Sequence, residues 1–223
     1  MKKFLYLFFS LMMLVGLCGC ASGNETDDVR GSIIGGDKTQ DEKEPELSLG
    51  VAENGTYRNE FLGVSFTAPA GWEFYTDEQI MELNNVVGEY IDEDVVEQLK
   101  NATIVYDMYA TYQEEGSNVN VNLEKLSAAQ SFAIDIKQAL EAQIDVIKTT
   151  YANMGYTDIN ASYTKVRVDG KEFDGLRVTA KIQDIDFYVT AFAFKKSNYL
   201  ANITVCSLQT DRTNAILSCF TVQ

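Results

Sequence analysis

Between residues 160 and 205 the chain is four strand-like runs with little but turn residues between them. The runs 160–168, 173–182, 187–194 and 199–205 are rich in β-branched and aromatic side chains. Such runs bounded by turn formers read as strands. Asp169-Gly170 separates the first two, and this dipeptide readily takes the left-handed backbone that a two-residue hairpin needs. Asp184 and Asp186, flanking Ile185, fall in the next short connection; acids are common in such turns for conformational reasons alone. Strands joined this closely run antiparallel. This part of the chain therefore predicts a four-stranded meander, whose apolar face must be covered by something else.

The preceding segments supply more strand and the cover. Residues 59–67 alternate after Gly63 and run into Pro69-Ala70-Gly71-Trp72, predicting a short hairpin closed by a turn. Thr76-Asp77-Glu78-Gln79 has the capping-box pattern of a helix start, with Ile80, Leu83, Val87 and Tyr90 at helical spacing, and a second short helix is expected over 94–99. Two strands follow: 104–112, aromatic and β-branched, then the strictly alternating Val119-Asn120-Val121-Asn122-Leu123. That alternation predicts a strand with one buried face. Ser127-Ala128-Ala129-Gln130 repeats the capping box and predicts a long helix to about Asn153, with Ile136, Leu140, Ile144, Ile147 and Tyr151 on one face and Gly155 as its stop. A last helix is expected from about Asp211 to Phe220. These elements predict a single α+β domain over residues 56–223, an antiparallel β-sheet with helices packed on its faces. A domain of about 165 residues buries roughly two thirds of its chain surface, enough for one core.

The start of the chain carries an address. Met1-Lys2-Lys3 precedes an apolar run from Phe4 to Leu17, and Leu17-Cys18-Gly19-Cys20 closes it. A charged start, an apolar stretch and a small-residue exit make a secretory signal. The run is shorter than the ~20 residues that span a bilayer. The ending Leu-x-Gly-Cys resembles a bacterial lipobox, which implies removal of residues 1–19 and a diacylglycerol on the sulfur of Cys20. Cys18 competes less well, because Leu17 rather than a small residue precedes it. Two or more acyl chains give stable attachment, placing the protein at the cell membrane on its extracytoplasmic face. Residues 20–55 then read as a lipidated N-terminus and flexible linker: they hold few large apolar residues and the charge run Asp41-Glu42-Lys43-Glu44-Pro45-Glu46, a composition that buries too little to offset chain entropy. The alternative for the end of this stretch is an extra strand near residues 47–51 docked on the domain edge.

Charge and composition narrow the chemistry. The formal net charge is −15, and loss of the leader with its two lysines takes it to −17. Such a surface repels nucleic acid and anionic lipid. No histidine occurs anywhere, which removes Ser-His-Asp and Cys-His machinery in their usual forms and the commonest metal ligand. No cofactor or metal is expected. Asp92, Glu93 and Asp94 lack the spacing of a calcium loop and suit a helix start through its dipole.

The run Tyr57-x-Asn59-x-x-x-Gly63-x-x-Phe66-x-x-Pro69-x-Gly71-Trp72, followed by a capped helix and this element order, resembles the PsbP-like lipoproteins of Gram-positive bacteria. The resemblance spans residues 57–223 and implies an α/β/α sandwich. It rests on turn chemistry and core aromatics, so it speaks to fold more than to function. Photosynthetic members are non-enzymatic subunits that help retain calcium and chloride, partly through histidine. That ion role does not carry over to a chain without histidine.

Two groups of side chains remain as candidate sites. Trp72, Tyr106, Tyr109, Tyr112 and Tyr188 form a possible ligand surface, an aromatic strip on the sheet; packing of a strand end and ordinary cross-strand pairing are the alternatives. Cys206 and Cys219 lie at a strand end and in the last helix, a spacing that admits a disulfide in an exported protein, while both positions also suit small buried side chains. The expected function is a non-catalytic binding or accessory module, tethered by its lipid and contacting an unknown protein or envelope polymer. The alternative is a cell-envelope hydrolase working through paired carboxylates, which needs two acids facing each other across a cleft.

Overall fold

A computed structural model of the chain describes residues 47–84 and 104–223. The described residues form an α+β structure with two antiparallel sheets and four α-helices. The small sheet holds β1 (Val51–Glu53), β2 (Thr56–Asn59), β3 (Val64–Thr67) and β11 (Phe220–Val222), in the order β1-β2-β3-β11. The large sheet holds β4 (Glu73–Phe74), β5 (Ile104–Tyr112), β6 (Ser117–Lys125), β7 (Thr157–Val168), β8 (Lys171–Ile182), β9 (Ile185–Lys196) and β10 (Tyr199–Leu208). Its order is β4-β5-β6-β10-β9-β8-β7. The expected meander is β7 to β10, and it joins the β5–β6 hairpin through the β6–β10 pair. Asp169 and Gly170 both have positive φ, 49° and 76°, as their hairpin requires. The next turn places Gln183 and Asp184 at positive φ, while Asp186 sits inside β9 opposite Lys181.

Four expectations are corrected. A second sheet stands where a single one was expected, because the chain end after Cys219 is a strand: Phe220, Thr221 and Val222 pair with Phe66, Ser65 and Val64. The last helix, α4 (Thr213–Leu217), is consequently shorter than 211–220; alternate burial of Phe220 and Val222 in the core outweighs continued helix. The long helix is broken into α2 (Ala128–Ala133) and α3 (Ile136–Asn153). Ile134 takes an extended conformation, and the Asp135 carboxylate accepts from the Gln138 amide to start the new helix. The linker ends earlier than residue 55: Leu47 is buried, and β1 pairs with β2 around the Asn54-Gly55 turn. The first helix, α1 (Asp77–Leu83), has the expected capping box, in which Gln79 N donates to Thr76 Oγ1 and Thr76 N donates to Gln79 Oε1. The helix expected over 94–99, the acids Asp92 to Asp94 and the lipidation site Cys20 lie outside the described residues.

The large sheet contributes to an apolar cluster on each face. On one face Tyr57, Phe61 and Phe66 of the β2–β3 region pack with Met108, Val121, Ile203 and Val205. Phe220 and Ile216 complete that cluster. On the other face Leu140, Ile147 and Tyr151 of α3 share a cluster with Leu176, Val178, Phe187 and Val189. At about 1.5–3 kcal/mol for each fully buried large apolar side chain, these two clusters dominate the favourable side of folding. Gly175 in β8 is required by close packing, since a Cβ there would lie 2.4 Å from the Ala191 carbonyl oxygen.

Candidate functional site

The Pro69-to-Trp72 turn, the β5–β6 hairpin and the start of α4 converge on a pocket of about 180 Å³. Trp72 N donates to the Pro69 carbonyl at 3.3 Å, closing the turn. Gly71 adopts φ +87°, and a Cβ there would meet Tyr112 Cε2 at 2.8 Å. Glycine thus lets the turn lie directly on the Tyr112 ring. The Trp72 and Tyr112 rings, 6.3 Å apart and inclined by 37°, form the aromatic side. Trp72 also meets Phe66 edge-on at 5.8 Å, which anchors it to the core while its other edge lines the pocket. Across from the rings, Arg212 Nε and Glu115 Oε2 pair at 2.8 Å. Ser117 lines the pocket, is buried, and its hydroxyl has no hydrogen-bond partner among the described residues. Partial desolvation, then the carboxylates of Glu114 and Glu115, push the Tyr112 hydroxyl above its ordinary range, so it stays neutral at physiological pH and donates to Glu114 Oε2 at 3.4 Å. The site offers aromatic surface, donors and acceptors. Its one lining carboxylate is already matched by a guanidinium.

The other aromatics do not share one strip. A bulge between Tyr106 and Met108 shifts the β5–β6 register. Tyr106 and Tyr109 therefore point to the α3 side of the sheet, both buried, with Tyr109 against Tyr75 at 4.4 Å. Tyr112 falls on the opposite side. Tyr188, in β9, lies 5.5 Å beneath the Arg177 guanidinium. Arg177 donates to Thr190 and Thr213 at 2.7 Å each and pairs with Asp211. That cluster ties α4 to β8 and β9. Of the five proposed ligand contacts, Trp72 and Tyr112 meet in this pocket.

The proposed disulfide is absent, and both thiols are free. Cys206 faces α3 in one apolar cluster, while Cys219 packs on the other, so the sheet itself separates them. Burial pushes the Cys206 thiol up to about 12.

Sequence reasoning missed Asp107, an acid in an apolar strand and the bulged residue of β5. It is buried, accepting from Gly50 N at 2.7 Å, from Asn59 Nδ2 at 2.6 Å and from the Tyr57 hydroxyl. Desolvation raises its carboxyl above the usual range, and the three donors hold it down in part. Burial and the facing carboxylate raise the Tyr57 hydroxyl well above its own range. The motif residues Tyr57 and Asn59 thus clamp the small sheet onto β5. The readable signal was a single acid inside Ile104-Val105-Tyr106-Asp107-Met108-Tyr109.

Among the described residues no group of three or more cysteines or acids is placed to hold a metal ion, and no helix is long and apolar enough to cross a membrane. Comparison with known proteins gives no match, either to a family model or to a curated protein.

Proposed function

We propose that this protein is a lipid-tethered extracytoplasmic binding module, with its folded body held off the membrane and the Trp72–Tyr112 pocket as its contact surface. The leader and the Leu17-Cys18-Gly19-Cys20 ending support the tether. The PsbP-like reading of the fold belongs to the same proposal. It is supported by the α+β composition and by the positions of Tyr57, Asn59, Gly63, Phe66, Gly71 and Trp72, which all serve turns, the clamp or the core.

One observation carries the non-catalytic reading. The pocket presents two aromatic rings beside a closed Arg212–Glu115 ion pair. Acid–base work on a glycosidic bond requires two carboxylates flanking the bond. Here the carboxylate at the pocket is neutralised by its partner, which suits recognition.

Two measurements test the proposal. Cells expressing the full chain should incorporate radiolabelled palmitate, and Cys20→Ser should abolish it; retained label in the variant would defeat the tether. Photo-crosslinking from position 215, at the pocket, should capture an envelope component in intact cells, and Trp72→Ala should reduce the yield several-fold. Turnover of a cell-wall substrate by the purified chain would overturn the non-catalytic assignment.

A further inference from the structure

We infer that the Trp72–Tyr112 pocket binds one pyranose ring of a neutral glycan. This rests on the binding-module reading and names its ligand class. Three observations converge. The pocket's volume, about 180 Å³, lies below the roughly 300–1,000 Å³ of pockets that enclose drug-sized ligands, so it suits one small ring at the end or side of a longer molecule. Its surface pairs aromatic faces with polar groups of both kinds: Arg212 carries donors, Glu115 accepts, and Ser117 does either, while the Tyr112 hydroxyl donates to Glu114 at 3.4 Å and contributes its ring. A pyranose has that division, with C–H groups on its faces and hydroxyls around its rim. An apolar side chain would satisfy the rings and leave the polar groups without use.

The orphan hydroxyl is the third, independent pointer. Ser117 is 3% exposed and hydrogen-bonded to nothing among the described residues, although buried polar atoms are generally partnered. Ser117 Oγ is closed to solvent in this structure, so a ligand hydroxyl gains it as a partner by displacing its cover at the pocket edge. Charge selects the glycan type. With formal net charge −15, the protein repels phosphate- or uronate-rich polymers at long range, and the single cation at the pocket, Arg212, is occupied by Glu115.

The test uses a property of the sequence. Trp72 is the only tryptophan, so intrinsic tryptophan fluorescence reports this pocket alone. The full chain, held in a zwitterionic detergent, is titrated with a neutral N-acetylglucosamine tetramer, with polyglycerol phosphate and with a proline-rich peptide. A saturable change with the tetramer supports the inference when it is at least several-fold tighter than with the other two. Ser117→Ala and Arg212→Ala should each weaken it several-fold while leaving the thermal melting curve in place. Equal or tighter binding of the polyanion or the peptide overturns the inference, as does no spectral change with any probe. Tetramer binding that survives both substitutions also overturns it. The binding-module reading fails separately: crosslinking at position 215 that persists beside a silent tetramer titration removes only the glycan.

Discussion

Strand β6 shows two chemistries on its two sides, and both are buried. Val119, Val121 and Leu123 face the small sheet in the larger apolar cluster. Asn118, Asn120, Asn122 and Glu124 face the opposite way, 8%, 1%, 2% and 2% exposed. The register sets Asn122 between Tyr106 and Asn202, and Asn120 between Tyr109 and Thr204. Some of this polar surface pairs with itself: Asn122 Nδ2 donates to Asn120 Oδ1, and Asn202 Nδ2 to Asn122 Oδ1, both at 3.3 Å. Asn118 Oδ1, Asn120 Nδ2 and the Tyr106 hydroxyl have no partner among the described residues. Burying an apolar side chain stabilises without conditions. Burying an amide stabilises only if its donors and acceptors are met. The apolar side of β6 therefore contributes to stability, and the polar side costs some of it.

The largest effect should come from moving the polar chemistry across the strand. Val121→Asn loses the burial of the valine and strands an amide among apolar neighbours, at a cost of about 4 kcal/mol. The reverse exchange, Asn120→Val, should change stability by less than about 1 kcal/mol, because loss of the bond from Asn122 is offset by removal of an unpartnered donor. Urea unfolding of both variants measures the contrast. Comparable losses would show that the asparagine face is as well satisfied as the valine face.

Asp107 sharpens the comparison, since it is a polar group on the apolar side with every partner in place. Asp107→Ala should cost about 2 kcal/mol by leaving the Tyr57 hydroxyl, Asn59 Nδ2 and Gly50 N without their acceptor. Its pH dependence has a definite sign. The folded carboxyl titrates above its ordinary value, so between about pH 3.9 and that raised value the native state holds more protons than the unfolded chain. Stability contributed by this group therefore falls as pH rises through the window. Asp107→Asn should remove that slope from a pH series of urea midpoints; an unchanged slope would show that other groups set it.

The cysteines probe the same partition with little change in stability. Cys219 is half-buried and donates weakly to the Ala215 carbonyl, whereas Cys206 lies inside the α3-side cluster with its thiol pushed up to about 12. Because the thiolate is the reactive form, iodoacetamide should label Cys219 in the native protein and Cys206 only after unfolding. Equal native labelling would mean that the α3 side opens readily.

Much of this was legible from residues because it is local. The capping boxes at Thr76 and Ser127 and the Asp169-Gly170 hairpin require only neighbours within a few positions. Antiparallel pairing of β7 to β10 follows from short turns. The misses depend on distant partners. Phe220 reads as the end of a helix until β3 offers it a ladder more than 150 residues away. The sequence Val119-Asn120-Val121-Asn122-Leu123 marks two faces correctly but does not say that the polar one is covered. The pocket was half legible. Trp72 and Tyr112 stood out by type, whereas Ser117, Glu115 and Arg212 matter only because the β5–β6 turn and α4 bring them together. The bulge that puts Tyr106 and Tyr109, three residues apart, on the same side had no sequence mark except Asp107 itself.

The smallest predicted effect comes from a second aspartate, at the sheet's outer strands on the α3 side. Asp174 accepts from Lys165 Nζ at 2.7 Å and from the Tyr163 hydroxyl, and Lys137 of α3 lies 5.3 Å over the Tyr163 ring. The hydrogen bond from Lys165, then that from Tyr163, lowers the Asp174 carboxyl below its ordinary range. The sign is opposite to that of Asp107: stability from this group is present above the unfolded value near pH 3.9 and is lost as pH falls through the lowered folded value. The Lys165 side chain is 53% exposed, so water and salt screen the pair, and Lys165→Ala should shift the urea midpoint less than any of the substitutions above. Added salt should shrink that difference further, while leaving the Asp107→Ala difference nearly intact because its carboxylate is out of reach of ions. A salt series on the two variants compares the two aspartates directly. Equal salt sensitivity would mean that the clamp around Asp107 admits water, and would overturn the idea that β5 and β6 present a dry side there.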